Sequence, residues 1–163
     1  MRALHGTADE KHIVLINTGE FESVCRERLE NGGTVALEVT GASMLPFLAG
    51  GRDSVVLTAS DRPPKRGDIL LYRRRNGRLV LHRVCRTRDG GCYMCGDAQT
   101  ALEGPVSPGQ VLARAASAVR KGRRISEGGL CWSFFKHVWR WARPVRPLII
   151  KCRAALAGKR GQS

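Results

Sequence analysis

The chain has 163 residues, 42% of them hydrophobic, which is enough for one buried core and too few for two comfortable domains. Its formal net charge of +14 is unevenly placed: residues 1–61 hold 5 basic and 9 acidic side chains, whereas residues 62–163 hold 23 and 5. This composition excludes a disordered chain, and the basic half calls for an anionic partner, either nucleic acid or the acidic face of a membrane.

The first dozen residues lack the apolar stretch of a secretory signal. The longest purely aliphatic run is Ile13 to Ile16, against the roughly 20 apolar residues of a membrane span. The expected location is therefore cytoplasmic, with the six cysteines as reduced thiols.

In chain order, residues 1–18 read as an irregular arm with a short apolar strand. A helix follows: Phe21, Val24, Cys25 and Leu29 share one face, and Gly32-Gly33 stop it. Val35, Leu37 and Val39 alternate with Ala36, Glu38 and Thr40, which predicts a half-buried strand. The turn "GASMLPFLAGGRD" separates it from a second strand, "SVVLT".

After the turn-rich "DRPPKRGD", two strand-like runs flank Asn76-Gly77, the preferred pair for a two-residue hairpin. "RDGG" marks a second hairpin leading into "CYMC", and "GDAQTALEGPVSPG" reads as a long loop. "QVLARAASAVRKGRRI" reads as a long strand or strand pair ending near Ile125.

From Ser126 the composition turns basic and aromatic. Trp132, Phe135, Trp139 and Ala142 follow helical spacing, with Lys136, Arg140 and Arg143 turned elsewhere, until Pro144 and Pro147 interrupt. The expected division is an arm and helix over 1–33, a β domain over 34–125, and a basic amphipathic appendix over 126–163. The appendix could pack on the domain, bind nucleic acid or lie on an anionic membrane. Tryptophan with arginine favours the membrane over nucleic acid, which would place the protein at the inner face.

Within this frame the chemistry centres on Ser43, in an apolar turn between two strands. His82 is a candidate base. Its neighbours at i±2 are Val80 and Val84, so it shares a face with apolar side chains, where a histidine is more often simply packed. Asp97 and Glu103 are the nearby carboxylates that could orient it. Cys92 and Cys95 fall in a strand without the second ligand pair of a structural zinc site, so they read as structural. Arg73-Arg74-Arg75 reads as a solvated hairpin tip.

The order G-x-S-M-x-P, "PPKRGDILLYR", "LVLHRV", "CGDAQ" and a late strand resembles the signal peptidase and LexA-like serine peptidases over Val35 to about Val119. The resemblance implies a mainly β LexA/signal-peptidase-like fold, with an N-terminal helix and the basic C-terminal helical appendix flanking it. It also implies Ser43 as nucleophile. His82 stands where most members carry a lysine base, which resembles the histidine branch of endoplasmic reticulum and SipW-type signal peptidases. "GDAQTALE" is similar to that branch's "GDNN" segment and following acid, which makes Glu103, with Asp97 ranked just behind, the orienting carboxylate.

A serine hydroxyl needs such a base, and a histidine with a pKa near 6.5 supplies it at neutral pH. Gly41 and Ala42 leave room for a peptide, the Ser43 N–H is an oxyanion donor, and Met44 completes the substrate-facing turn. Two departures stand out. Gly41 occupies a position where related peptidases often carry a hydroxyl that helps hold the oxyanion, and no membrane anchor is evident. The expected reaction is cleavage of a peptide or protein substrate without metal or organic cofactor. The alternative is a peptide-binding module of the same fold with weak or lost catalysis.

Overall fold

A computed structural model describes residues 2–5, 12–15, 18–139, 142 and 145–146. The chain is mainly β. Strands β1 (Arg2–His5) and β2 (His12–Leu15) precede helix α1 (Thr18–Glu30). Then come β3 (Val35–Glu38), β4 (Ser54–Thr58), β5 (Ile69–Arg73), β6 (Leu79–Arg88), β7 (Gly91–Cys95), β8 (Glu103–Val106), β9 (Val111–Arg120), β10 (Arg123–Ser126) and helix α2 (Leu130–His137). All neighbouring strands pair antiparallel in one sheet of order β2-β1-β3-β4-β9-β5-β6-β7-β8, with β10 on β9. Both expected helices are present.

The two sheet faces bury different cores. In α1, Phe21, Cys25 and Leu29 face inward as their spacing predicts, and Gly32 closes the helix at φ +72°. They pack with Leu37, Val55, Leu57, Ile69, Leu71, Met44, Phe47 and Leu48 in the larger core. On the other face of β5 and β6, Leu70, Tyr72, Val84, Cys92, Met94 and Val106 form a smaller core.

Several elements differ from the sequence reading. The 1–18 arm contributes β1, which pairs with β3, as well as β2. Asn76-Gly77 does not make a two-residue turn. Arg74 N–H donates to the Arg78 carbonyl and Gly77 N–H to that of Arg74, and only Gly77 of this pair has positive φ, so the loop is three residues with glycine in the left-handed position. The two-residue turn with both φ positive falls instead at Asp89-Gly90, between paired Arg88 and Gly91. The loop after β7 contains β8, an edge strand hidden in the sequence by Gly104 and Pro105.

Of the readings open for the C-terminal segment, its described part takes the packed one. Trp132, Phe135 and Trp139 are buried in the same core as α1 and β3, against Phe47. The apolar side chains that α2 leaves exposed, with Val138 just beyond it, are Leu130, Phe134 and Val138 on the opposite side. Among the described residues no helix is long and apolar enough to cross a membrane. Arg140, Arg143, Pro144, Pro147 and Cys152 lie outside the described residues.

Candidate functional site

Ser43 stands in the turn between β3 and β4, and that turn is fixed from several sides. Met44, Phe47 and Leu48 are buried, which pins the chain on both sides of the serine. Gly50 N–H donates to the Gly41 carbonyl, and Ala98 N–H donates to the Ser43 carbonyl at 2.8 Å. The Arg120 guanidinium donates to the Phe47 and Pro46 carbonyls at 2.7 and 3.1 Å. Asp53, 1% exposed, accepts from the Ala49 and Lys121 N–H groups and from Arg52, closing the far end of the turn. Gly41, at φ +76°, and Ala42 remain exposed.

Among the described residues the Ser43 N–H has no acceptor, which leaves it free to hold an oxyanion. The Met44 side chain, 2% exposed, belongs to the core, so its share in the site is confined to the floor of the groove.

That groove, about 110 Å³, is walled by residues 37–40 on one side and by Leu79, Val80 and Leu81 on the other, with Ser43 between them. It exists because β7 pairs with β6 only over Arg83–Arg88. Ahead of Arg83 the β6 edge is uncovered by β7, and the Ser43 turn occupies that side. A larger cleft, about 820 Å³, lies between the hairpin tips and is lined by Arg73, Arg74, Arg75 and Pro108. Of the site residues only Arg74 reaches it.

His82 is opposite Leu70 in the β5–β6 register and 2% exposed, on the face of the smaller core. Its Nδ1 lies 3.3 Å from the Tyr72 hydroxyl and 3.9 Å from Glu103 Oε2. Glu103 is clamped by Arg74, whose Nε and Nη2 each donate to a carboxylate oxygen. The expected hydrogen bond between Ser43 Oγ and His82 is not formed. The ring is instead held from its Nδ1 side by the Tyr72 diagonal, two residues along the neighbouring strand.

Asp97 has a different task from the one expected. It is 1% exposed and accepts two hydrogen bonds from Arg83, at 2.9 and 2.8 Å, on the opposite face of β6 from His82. A buried pair of this kind is costly to break from one side. The turn that carries Asp97 is held in turn by the C-terminal segment. Trp139 Nε1 donates to the Asp97 carbonyl at 2.8 Å, and buried Arg146 donates to the Gly96 and Gln99 carbonyls. The aromatic segment thus braces the turn that grips Ser43.

No family model, curated protein or solved structure matches this chain. The site therefore rests on its own geometry.

Four participants escaped the sequence reading. Tyr72 and Arg74 sit in a strand and beside a hairpin turn, where an apolar core residue and a solvated tip are the ordinary expectations. Arg83 and Arg146 were two among many basic side chains. A faint clue existed for Tyr72, because its strand-period offset from Leu70 places it on the His82 face. Cys92 packs in the smaller core, and Cys95 Sγ lies 3.2 Å from the Gln99 carbonyl. Among the described residues no group of three or more histidine, cysteine or acidic side chains could hold a metal ion.

Burial sets the protonation of His82, and the charges of this network adjust it. Burial pushes its pKa from 6.5 down to about 4. The Glu103 charge opposes this and the Arg74 charge adds to it. Burial alone would raise the Glu103 carboxyl, but the hydrogen bonds and charge of Arg74 outweigh it and hold the group below its ordinary value. His82 is thus a neutral imidazole at pH 7, as a proton acceptor must be.

A depressed pKa in the folded chain has a definite consequence. Between pH 6.5 and pH 4 the unfolded chain binds a proton at His82 that the folded chain does not. Stability should therefore fall with pH across that window, by about 3 kcal/mol at its lower end. Urea unfolding at a series of pH values will show this slope, reduced in His82→Gln. Any activity that uses His82 as base should stay level through pH 6.5 and decline near pH 4. A midpoint at 6.5 would contradict the burial described here.

Gly96 is a second point of control. A Cβ there would lie 2.5 Å from the Ser43 carbonyl oxygen and 2.9 Å from Gln99 Oε1. The first of these atoms is backbone and cannot step aside. Gly96→Ala is expected to push the Ser43 turn off the 96–99 turn and to destabilise the fold by about 1–3 kcal/mol. Wild-type stability in this variant, measured by urea unfolding, would mean that the two turns are not in contact.

Proposed function

We propose that this protein is a serine endopeptidase that cleaves an extended peptide lying in the groove between residues 37–40 and Leu79–Leu81. The observation that supports this reading is a fixed, half-exposed serine with a free backbone N–H in a groove whose wall, Leu79–Leu81, leads in sequence directly to a buried neutral histidine near Tyr72 and Glu103. The resemblance of the Ser43 and His82 segments to the signal-peptidase and LexA-like peptidases supports it. The small groove volume suits small side chains beside the scissile bond.

In this reading the Ser43 Oγ adds to the scissile carbonyl carbon as its proton passes to His82. The resulting oxyanion is held by the Ser43 N–H. Collapse of this intermediate breaks the C–N bond, and the departing amine takes the proton from His82, leaving an ester on Ser43. Water then adds to that ester, giving a proton to His82, which returns it to Ser43 as the acid product leaves.

A fluorophosphonate probe tests the reading, because labelling requires an activated serine. Labelling at Ser43 supports it. Absence of labelling across pH 5–9 favours a second reading, in which the groove binds peptides by strand addition without cleaving them. The missing Ser43–His82 hydrogen bond and the glycine at position 41 are the observations on that side.

A further inference from the structure

We infer that the outward face of α2 is a docking surface for an anionic lipid bilayer, with Leu130, Phe134 and Val138 entering the interface and the β9–β10 turn supplying the cations beside it. This face serves docking whether or not Ser43 is a nucleophile.

The α2 helix has two apolar faces, and the core uses only one. Trp132, Phe135 and Trp139 are buried. Leu130, Phe134 and, at the C-cap, Val138 recur every fourth residue, which aligns them in one stripe. They are 93%, 46% and 54% exposed, so the described residues leave the stripe uncovered. An exposed apolar stripe rimmed by polar groups marks a contact with a partner or a membrane.

The charge beside the stripe selects between these. Cys131 lies on the helix between the exposed stripe and buried Phe135. The Arg120 guanidinium meets the helix there, with Nη1 3.7 Å from Cys131 Sγ and the group 6.0 Å from the Phe135 ring centroid. The end of β9 therefore borders the stripe. Arg123 pairs with Arg120 across the hairpin, which brings Lys121, Arg123 and Arg124 to the same border. All three are exposed, and none forms an ion pair among the described residues. The turn is fixed in place, because the buried Asp53 carboxylate accepts from the Lys121 N–H. Glu127, on the other flank of α2, is already met by Arg62, Arg114 and Lys136. No acidic residue follows Glu127 in the sequence, whereas eight lysines and arginines do.

Apolar side chains beside unpaired cations match the acyl boundary and the headgroups of an anionic bilayer. Nucleic acid offers phosphates to the cations but no apolar volume for leucine and valine. A second copy would bring an identical cationic turn against the first, between chains that each carry a formal charge of +14.

Co-sedimentation of the full chain with vesicles of phosphatidylglycerol and phosphatidylcholine, against vesicles of phosphatidylcholine alone, tests this. The anionic vesicles should retain the protein. Raising salt from about 0.1 M to about 0.5 M should weaken retention without abolishing it, because screening acts on the cations and not on the apolar stripe. Arg123→Gln and Arg124→Gln should each weaken binding about fivefold. Leu130→Ser combined with Val138→Ser should weaken it about tenfold or more. Thermal unfolding of that variant should match wild type, since both side chains are exposed. Phe134→Ser should act in the same direction. Its ring also meets Phe135 at 5.3 Å, so if that variant unfolds, the Leu130 and Val138 pair decides.

Equal retention by both vesicle types, or retention by neither, overturns the inference. Undiminished binding by the Leu130→Ser, Val138→Ser variant also overturns it, because capture would then be electrostatic alone, as nucleic acid gives. A concentration-dependent dimer in light scattering that disappears in the same variant would assign the stripe to a second copy and overturn the bilayer.

Discussion

Replacing Ser43 with alanine is expected to abolish fluorophosphonate labelling and to lower kcat for peptide hydrolysis by roughly 10⁶-fold. Neither His82, which is buried, nor Cys95, whose sulfur lies against the Gly96 and Gln99 carbonyl oxygens, stands ready to replace the lost nucleophile. The fold should not notice the change. Among the described residues the Ser43 hydroxyl makes no hydrogen bond, and the turn is held by Met44, Phe47, Leu48 and its own backbone bonds. Thermal unfolding of Ser43→Ala should therefore match wild type while activity disappears. His82→Gln should lose nearly as much activity, since the hydroxyl then has no base. Undiminished hydrolysis by Ser43→Ala would remove the proposed mechanism and direct attention to another group.

Replacing Trp132 with alanine should cost about 3–5 kcal/mol, the range for truncating a large aromatic in a packed core. Against a typical total of about 5–15 kcal/mol, that is a large part of the stability of the chain. Trp132 is fully buried, and its ring meets Phe47 edge-on at 5.3 Å between centroids. Phe47 in turn lies under the Arg83 guanidinium and next to Phe135. The void would open beneath the turn that carries Ser43, so labelling of the serine should slow even where the variant remains folded. Truncation ahead of Leu130 should be more damaging still, because it removes Trp139 and Arg146 from the 96–99 turn as well. Urea unfolding gives the number directly. A loss below about 1 kcal/mol would mean that the segment is a detachable appendix after all.

Those two substitutions mark the division between local and tertiary information. The amino-acid sequence by itself determined the parts with a local cause. The α1 face of Phe21, Cys25 and Leu29 follows from helical spacing, β3 from the alternation of Val35 and Leu37 with Ala36 and Glu38, and the end of the helix from Gly32-Gly33. It also placed a serine in the turn between β3 and β4 and a histidine on an apolar strand face. Where local cues were shared between structures, they misled. Asn-Gly and Asp-Gly both favour a two-residue turn, and the choice fell to Asp89-Gly90 because the strand register there pairs Arg88 with Gly91.

The tertiary structure alone decided who meets whom. Asp97 and Glu103 were close rivals as loop carboxylates, yet they end on opposite sides of β6, one with Arg83 and the other with Arg74, because adjacent strand residues point to opposite faces. Arg74 and Arg75 are neighbours of identical type, and only the register of β8 against β7 brings a carboxylate to one of them. An amphipathic aromatic helix is compatible with a bilayer and with a protein core alike. Its spacing specifies an apolar face, and only the presence of Phe47 and the β3–β4 core beside it determines what that face covers.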